Sequence, residues 1–381
     1  VVNHWSLEHY MIKDLPAANW INQWDTYTET SHAKEIFTDP YAAESDVKLL
    51  IDGWFVESMA DLNQKQPQLL SYLTQNAIWW VEYADLSGYR VDTYPYNSRD
   101  EITQWTKAIM DEYPSFSIVA ESWVINPIHL SYWQKDSPIA AMSSFNSQVT
   151  HVKDFNLFAA VQDIYQGDTQ WWDQKMNKIY KVFQNDFVYA NPNDLMVFLE
   201  NHDTTRINEI ASEFHQYKLI TTLLATVRGV PQTYYGTEIN MRGAKEKGDA
   251  DLRRDFPGGW PSDARSAFNK AGRTEMENNY FDFTAKLFNW RKNEPVIHFG
   301  KTMHYAPQNE VYVYFRYTDT KSIMVILNAN DEDQTLNMQR FNQRIGSAQT
   351  GKDVFSKTVI PLTGQLPIAA NSTKIISFKT Q

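Results

Sequence analysis

The sequence predicts an α/β fold in which a parallel sheet covered by helices, as in a barrel, is followed by a separate antiparallel β-domain. Strand-like and helix-like segments alternate from about residue 68 to about residue 292, a pattern typical of repeated βα units. After Pro295 the segments become short β-branched or aromatic runs with turn residues between them, which is typical of antiparallel sheets. The 381 residues suffice for a large barrel and a smaller module. We therefore place the large barrel domain at residues 1–296 and the β-domain at residues 297–381.

The first βα units are predicted from apolar periodicity and capping signals. Residues 68–84 carry apolar side chains at helical spacing and predict a helix. Ser98, followed three residues later by Glu101, predicts a capping box at the start of a second helix. The short apolar segments GYRVD (88–92) and FSIVAES (116–122) predict the strands on either side of that second helix.

The alternation continues along the rest of the barrel region. Residues 126–137 and 148–184 predict helices, with IAAMSSF (139–145) as a strand between them. Residues 237–277 form a long connection rich in Gly, Arg and Asp, and residues 5–60 predict an irregular aromatic excursion from the barrel face. The remaining segments are DLMVFLENHD (194–203) and VPQTYYG (230–236) as strands, and QYKLITTLLATVRG (216–229) and NNYFDFTAKLFNWRK (278–292) as helices.

Four runs near the C-terminus predict the strands of the β-domain. Each is short, is rich in β-branched or aromatic residues and is bounded by turn residues. The runs are VYVYFRY (311–317), SIMVILNAN (322–330), KTVIPL (357–362) and TKIISFKT (373–380).

The composition argues against several classes of partner and site. The chain carries 35 basic and 46 acidic residues and a net charge of −11, which disfavours nucleic acid and anionic membranes as partners. No apolar run approaches the roughly 20 residues of a membrane span, so no membrane insertion is expected. The absence of cysteine excludes disulfides and thiolate metal sites. No H-E-x-x-H spacing and no phosphate-binding glycine loop occur, so zinc and nucleotides are not expected.

Three acidic residues follow directly on predicted strands: Asp92, Glu121 and Asp203. Because the carboxyl ends of all strands in a parallel barrel lie on one face, these acids are expected to converge. Alternation along the strand puts Arg90 on the same side as Asp92. That pair is either a structural ion pair or an active-site carboxylate held ionised by its arginine.

Three converging acids with an arginine suggest glycoside hydrolysis. Cleavage of an acetal needs one protonated acid for the leaving oxygen and a second carboxylate that attacks or stabilises the oxocarbenium-like centre. Arg90 would keep Asp92 ionised. Apolar surroundings and neighbouring acids would keep Glu121 protonated, which is the state that a general acid requires.

The segments that hold these residues resemble the signature regions of the α-amylase family of glycoside hydrolases (family 13). The resemblance runs from the first residue to about residue 292 in the order of that family, and the ADLN and TYPYN variants are closest to neopullulanases and cyclomaltodextrinases. The matching segments are VVNH (1–4), MADLN (59–63), GYRVDTYPY (88–96), VAESW (119–123), FLENHD (198–203) and GVPQTYYGTE (229–238).

The resemblance implies a (β/α)8 TIM barrel followed by a C-terminal antiparallel β-sandwich. It aligns Val1 with the third barrel strand, so the N-terminal strands would be missing from this chain and the resemblance is to an N-terminally incomplete member. Because an open barrel leaves strand edges unpaired, an N-terminal fragment of the same protein is an expected partner. A homodimer partner is the alternative.

The resemblance also implies a role for each site residue. Asp92 would be the nucleophile and Arg90 its charge partner, Glu121 the general acid/base, and Asp203 the group that stabilises the distorted sugar. His202 and His4 would bind the hydroxyl groups of that sugar. The implied mechanism is double displacement with retention, for which the carboxyl groups of Asp92 and Glu121 should lie roughly 5 to 5.5 Å apart.

Two further contacts are predicted near the nucleophile. Tyr94 and Tyr96 stand just past Asp92 and could bind sugar rings through their faces. Asn3 matches a position that ligates calcium in many members of the family, so a structural calcium ion is an expectation. The chemistry itself requires no cofactor.

The expected activity is cleavage of α-1,4-glucosidic bonds in starch-derived maltooligosaccharides, pullulan or cyclodextrins by a retaining hydrolase. One alternative is a glucan transferase or isomerase that uses the same acids, because water and a sugar hydroxyl compete for one glycosyl-enzyme intermediate. Another is a non-catalytic α-glucan-binding homologue. A polysaccharide substrate suits a periplasmic or extracellular location, which we state as an expectation.

Overall fold

The computed structural model describes residues 1–167 and 174–379. Two compact units are present, the first formed by residues 1–156 and 185–196 and the second by residues 157–184 and 197–381. Each unit has a buried apolar core of its own. No helix within the described residues is long and apolar enough to cross a membrane.

The predicted helix over residues 68–84 and the predicted strands over GYRVD (88–92) and FSIVAES (116–122) are present in the first unit. Its strands are β1 (His4–Ser6), β2 (Met59–Asp61), β3 (Gly88–Val91), β4 (Ser117–Ala120) and β5 (His151–Val152). Its helices are α1 (Tyr10–Lys13), α2 (Glu44–Asp52), α3 (Pro67–Ala84), α4 (Arg99–Glu112), α5 (Pro127–Ser131) and α6 (Pro138–Ala141).

The parallel sheet β3-β4-β5 positions the site. β3 and β4 pair with Val91 opposite Ala120, and β4 and β5 pair with Ala120 opposite Val152. The apolar stripe of α3, which includes Leu69 and Leu73, is buried in the same core. Burial of this stripe fixes α3 against the sheet, because apolar area removed from water supplies most of the stability of such contacts.

Three predictions in this unit are wrong. The helix predicted over residues 126–137 is much shorter, because α5 ends at Ser131. IAAMSSF (139–145) is not a strand, because Pro138 stands in the first turn of α6 and the Ser137 hydroxyl accepts a hydrogen bond from the Ala140 amide at 3.2 Å. Ser98 does stand at the N-cap of α4, but its hydroxyl bonds the carboxylate of Glu101 and caps no backbone amide. The capping box is therefore absent.

The second unit continues the pattern and then becomes antiparallel. Its helices are α7 (Phe155–Gln166, which begins in the first unit), α8 (Lys175–Gln184), α9 (Ile207–Ile210), α10 (Phe214–Thr226), α11 (Asp249–Leu252), α12 (Glu275–Lys292), α13 (Pro295–Phe299) and α14 (Asn342–Ile345). Its strands are β6 (Met196–Phe198), β7 (Val230–Gln232), β8 (Lys301–Gln308), β9 (Val311–Tyr317), β10 (Lys321–Asn328), β11 (Gln334–Asn337), β12 (Thr350–Asp353), β13 (Val359–Pro361), β14 (Gln365–Ile368) and β15 (Ser372–Lys379).

The single helix predicted over residues 148–184 is divided in the structure. β5 occupies its first part, and α7 and α8 occupy most of the remainder. Residues 168–173, between α7 and α8, lie outside the described residues. The predicted helices over 216–229 and 278–292 are confirmed by α10 and α12, which begin two and three residues earlier.

The predicted β-domain is confirmed as two antiparallel sheets, one with the strand order β13-β12-β15-β10-β9-β8 and one formed by β11 and β14. Alternate residues of β9 reach different cores: Val313 and Phe315 pack between the two sheets, whereas Tyr312 and Tyr314 pack among residues of α8 and α10. The larger sheet is therefore buried on both faces, which explains the nearly continuous apolar sequences of β9 and β10.

The shared core also explains why the compact units do not divide at residue 296. Residues of α10 and of β9 and β10 belong to one buried cluster, so the helices and the six-stranded sheet form one unit. The boundary between residues 296 and 297 stays a prediction.

Candidate active site

The strand register of the first unit puts three polar residues on one level. Val91, Ala120 and Val152 are paired neighbours across β3, β4 and β5. The next residue on each strand is Asp92, Glu121 and Lys153, respectively. The amide of Glu121 donates to the carbonyl of Val91 at 2.9 Å, which extends the ladder to this level. The prediction that Asp92 and Glu121 meet at neighbouring strand ends is thus confirmed.

Arg90 holds both carboxyl groups. Its Nη1 lies 2.6 Å from Oδ1 of Asp92, and its Nη2 forms an ion pair with Oε2 of Glu121. The carboxyl groups of Asp92 and Glu121 also share a hydrogen bond. Both acids therefore lie within reach of one guanidinium group, and the separation of roughly 5 to 5.5 Å between their carboxyl groups stays a prediction.

The two carboxyl groups have opposite pKa shifts. Burial would raise the pKa of Asp92, but the hydrogen bond from Glu121 and the charge of Arg90 outweigh burial and hold the pKa below its usual value. The pKa of Glu121 is raised by burial and by its hydrogen bond to Asp92, against the charges of Lys153 and Arg90. Shifts in these opposite directions favour an ionised Asp92 and a protonated Glu121, which are the states that the nucleophile and acid roles require.

Thr93 turns the chain immediately after the carboxylate of Asp92. Its φ is +49°, a left-handed conformation that is rare for a β-branched residue. Its hydroxyl donates to Oδ1 of Asn3 at 2.6 Å. Strain of this kind persists where surrounding contacts hold it, and it is concentrated at functional sites.

His4 lies in the first unit on β1 and is buried, with 7% of its surface exposed. Its ring stacks on Phe55 at a centroid distance of 5.1 Å. Burial lowers its pKa to about 4, although the charge of Asp92 acts in the opposite direction. Its Nδ1 atom is buried without a hydrogen-bond partner. A neutral imidazole with an unused nitrogen fits the predicted role in binding a sugar hydroxyl.

The two tyrosines past the nucleophile are both buried. Tyr94 is 0% exposed, and its hydroxyl bonds Thr106 at 3.2 Å inside the core. It therefore offers no surface to a sugar, which argues against the predicted contact. Tyr96 is 7% exposed, and its hydroxyl lies 2.9 Å from Nδ1 of His32. Its ring meets the edge of Phe55, so it supports the residue on which His4 stacks.

The calcium ion predicted at Asn3 has few ligands available. Asn3 is 2% exposed, and its side-chain oxygen already accepts the Thr93 hydroxyl. Asp61, on β2 opposite His4, accepts a hydrogen bond from Asn22 at 2.8 Å. In residues 1–167 and 174–379, no cluster of three or more His, Asp or Glu could hold a metal ion. The calcium ion stays a prediction.

Asp203 and His202 stand in the second unit, a few residues past β6. The Asp203 amide donates to Oδ1 of Asn201 at 2.8 Å, and Nε2 of His202 lies 3.1 Å from Oδ2 of Asp203. Arg253 lies 2.8 Å from Oδ1 of Asp203 and also donates to the His202 carbonyl at 2.9 Å. The sequence prediction missed Arg253, which comes from the irregular connection after β7.

A buried carboxyl group anchors the start of this loop. Glu200 is 2% exposed; its Oε2 accepts the Ile207 amide at 2.8 Å, and its Oε1 accepts the Thr237 hydroxyl. Burial raises the pKa of Glu200 to about 7. The group ties the end of β6 to α9 and to the segment after β7, and so fixes the residues that precede His202.

Comparisons with known families and proteins identify what this chain is similar to. A family model described as the alpha amylase catalytic domain matches residues 1–322, and one described as the cyclo-malto-dextrinase C-terminal domain matches residues 302–377. A cyclomaltodextrin glucanotransferase of Bacillus licheniformis is 26% identical over 289 residues, which cover 75% of this chain and 36% of that protein. Alpha-amylase 2 of Dictyoglomus thermophilum is 22% identical over 290 residues, which cover 74% of this chain and 46% of that protein.

Solved structures share the fold over the whole chain. An α-amylase from Geobacillus thermoleovorans, complexed with acarbose, matches with a TM-score of 0.77 at 20% identity and covers 100% of this chain and 76% of that chain. A cyclic α-maltosyl-(1→6)-maltose hydrolase from Arthrobacter globiformis matches with a TM-score of 0.68 at 15% identity, over 100% and 74% of the two chains. The fold is that of a TIM-barrel catalytic domain with a C-terminal β-sandwich. The chain spans about a third of the length of the cyclomaltodextrin glucanotransferases that it matches.

Proposed function

The chain belongs to the α-amylase family of glycoside hydrolases, and from that premise we propose that it cleaves α-1,4-glucosidic bonds with retention of configuration. The substrates are starch-derived maltooligosaccharides, pullulan or cyclodextrins. The observation that supports this proposal most strongly is the Asp92–Glu121 pair. Arg90 pairs with both carboxyl groups at neighbouring strand ends, and the pKa of Asp92 is lowered whereas that of Glu121 is raised.

In the first step a carboxylate oxygen of Asp92 attacks the anomeric carbon of the bound sugar. The bond from that carbon to the glycosidic oxygen breaks, and its electron pair stays on the oxygen. Glu121 supplies the proton that this oxygen takes up. The leaving sugar therefore departs with a neutral hydroxyl group, and a glycosyl ester of Asp92 remains. Arg90 compensates the charge of Asp92 before the attack and that of Glu121 after its proton has left.

In the second step Glu121 acts as a base. It takes a proton from water while the water oxygen attacks the anomeric carbon, and the ester bond to Asp92 breaks with its electron pair on the carboxylate. Both acids thereby return to their initial protonation states. Two inversions at one carbon give net retention.

The remaining site residues bind the sugar whose bond is cleaved. Within the first unit we assign a hydroxyl contact of that sugar to His4. The sugar-binding roles that the family resemblance implies for Asp203 and His202 stay predictions. Arg253 donates to Oδ1 of Asp203 and so holds this carboxyl group in a fixed orientation. The neutral state of His4 supports a role as acceptor or donor without charge.

Two measurements on the full-length protein that carries this chain test the proposal. Release of reducing ends from amylose, pullulan and β-cyclodextrin reports hydrolysis, and proton NMR of the first product reports the anomeric configuration. We expect release of an α-anomer by the wild-type protein and release at least ~10³-fold slower by Glu121→Gln. A β-anomer as first product, or equal rates for both proteins, overturns the assignment.

A glucan transferase is a second candidate, supported by the similarity to cyclomaltodextrin glucanotransferases. Such an enzyme transfers the sugar from Asp92 to another sugar hydroxyl in place of water. Addition of glucose as an acceptor separates the two activities: a transferase forms longer products at an unchanged rate of bond cleavage, whereas a hydrolase continues to release reducing ends.

A further inference from the structure

Lys153 stands on the same level of the sheet as the two acids but is not part of the signature segments. Because Ala120 pairs with Val152, Glu121 and Lys153 follow side by side on β4 and β5. Nζ of Lys153 lies 3.4 Å from Oε1 of Glu121, and the lysine side chain is only 2% exposed. Burial of an ammonium group at this depth is costly unless a carboxylate compensates it.

Charged groups act on Glu121 from three parts of the first unit. Arg90 and Asp92 approach from the end of β3, and Arg90 pairs with Oε2 of Glu121. Lys153 approaches Oε1 from β5. Lys34, in the aromatic excursion, interacts with Glu121 electrostatically. The two oxygens of Glu121 thus have different cationic neighbours.

Resting on the proposed function of Glu121, we propose that Lys153 is a positioning residue that balances the acid and base forms of Glu121. Glu121 must hold a proton when the sugar leaves and must lack it when water attacks. Burial and the contact with Asp92 both favour the protonated form, which suits only the first step. The charge of Lys153 lowers the pKa of Glu121 against these two effects, so that Glu121 can lose its proton before the second step.

Arg90 cannot provide this balance alone, because it binds both acids. A change at Arg90 alters the charge environment of Asp92 and Glu121 together. Lys153 pairs with Oε1 of Glu121 from β5, so its charge acts directly on the acid/base residue. Selective tuning of one member is what a pair with opposite roles requires.

The test is the pH profile of kcat/KM for Lys153→Met, since the profile reports the essential acid and base of the free enzyme. Methionine retains a long flexible stem, which can pack where Lys153 lies 5.9 Å from the Phe155 ring centroid. We expect the alkaline limb to move to higher pH by at least about half a unit and the acid limb to stay in place. Lys153→Arg should restore the wild-type limb.

The control variant is Lys107→Met, which removes an equal charge from an exposed pair with Asp111 in the same unit. It should leave both limbs in place. An unmoved alkaline limb in a Lys153→Met protein that unfolds at the wild-type temperature would overturn the proposal. A limb shifted equally by arginine and by methionine would overturn it too, because the arginine keeps the charge.

A titration that needs no activity separates this inference from the proposed function. Infrared difference spectra of the wild type against Glu121→Gln isolate the carboxyl band of Glu121, and the same subtraction in a Lys153→Met background gives its shift. If the wild type releases no sugar, the proposed function fails while this titration still decides the role of Lys153. Should Lys153→Met not fold, Lys153→Gln serves in both experiments.

Discussion

The carboxyl groups of Asp92 and Glu121 share a hydrogen bond at the ends of two neighbouring parallel strands. The same arginine binds both groups. Burial raises the pKa of Asp92, but the hydrogen bond from Glu121 and the charge of Arg90 outweigh it and lower that pKa, whereas burial and the hydrogen bond to Asp92 raise the pKa of Glu121.

Asp92→Asn removes the nucleophile and should lower kcat/KM by at least ~10³-fold, because an amide cannot form the ester intermediate. Asp92 is 30% exposed, so the change should leave the unfolding temperature within a few degrees of the wild-type value. Kinetics and thermal unfolding of the same preparation check both statements. A variant that unfolds would favour a purely structural ion pair.

Arg90→Met should move both limbs of the pH profile to higher pH. The acid limb reports the ionisation of Asp92. Burial raises the pKa of Asp92, and the hydrogen bond from Glu121 and the charge of Arg90 lower it. The alkaline limb reports Glu121, whose pKa the arginine also lowers against burial. Loss of the guanidinium therefore raises both values. The pattern differs from that of Lys153→Met, and a shift of one limb alone would contradict the shared role of Arg90.

Arg253→Met should lower kcat/KM by about tenfold, mainly through KM. Arg253 donates to Asp203 and to the His202 carbonyl, and charged hydrogen bonds in half-exposed positions are worth about 1 to 2 kcal/mol. Arg265→Met is the control, because it breaks a comparable pair with Glu277 in the same unit. Equal losses in both variants would mean that Arg253 acts only on stability.

Glu200→Gln should remove a pH dependence of stability from the second unit. The pKa of Glu200 is about 7 in the folded chain and near 4.5 when unfolded. The stability that Glu200 contributes is fully present below pH 4.5 and is lost as the pH rises through 7. Between these two values Glu200 ionises in the unfolded chain but stays protonated in the folded one. The loss amounts to about 3 kcal/mol.

Denaturant unfolding at pH 4.5 and pH 8 measures this loss. The wild type should lose stability relative to Glu200→Gln on going to pH 8, while the exposed Glu332→Gln should follow the wild type. Parallel pH dependences of the wild type and Glu200→Gln would show that Glu200 is not the group responsible.

The sequence predicted the part of the site that depends on strand ends. Asp92 and Glu121 directly follow strands of four residues, and their register is a direct consequence of parallel pairing. Lys153 was missed because β5 has only two residues and lies within a longer apolar stretch that favours a helix. A strand of two residues is too short to be predicted from the periodicity of apolar residues.

Other details depend on tertiary contacts that no local pattern contains. Tyr94 stands beside the nucleophile in sequence, but the left-handed turn at Thr93 directs the chain back into the core. Arg253 reaches Asp203 from 50 residues away, through a connection without regular spacing. The start of α6 could have been predicted, because Ser137 followed by Pro138 is a helix-start signal.

The most direct test of the central claim is to trap the glycosyl ester of Asp92. With α-maltosyl fluoride the leaving group needs no proton, so Glu121→Gln should form the ester but should hydrolyse it slowly. Mass spectrometry of the quenched and digested protein should then find one maltosyl group on the peptide that contains Asp92. A maltosyl group on another carboxylate, or turnover of the fluoride with no adduct and inverted product, would contradict the assignment.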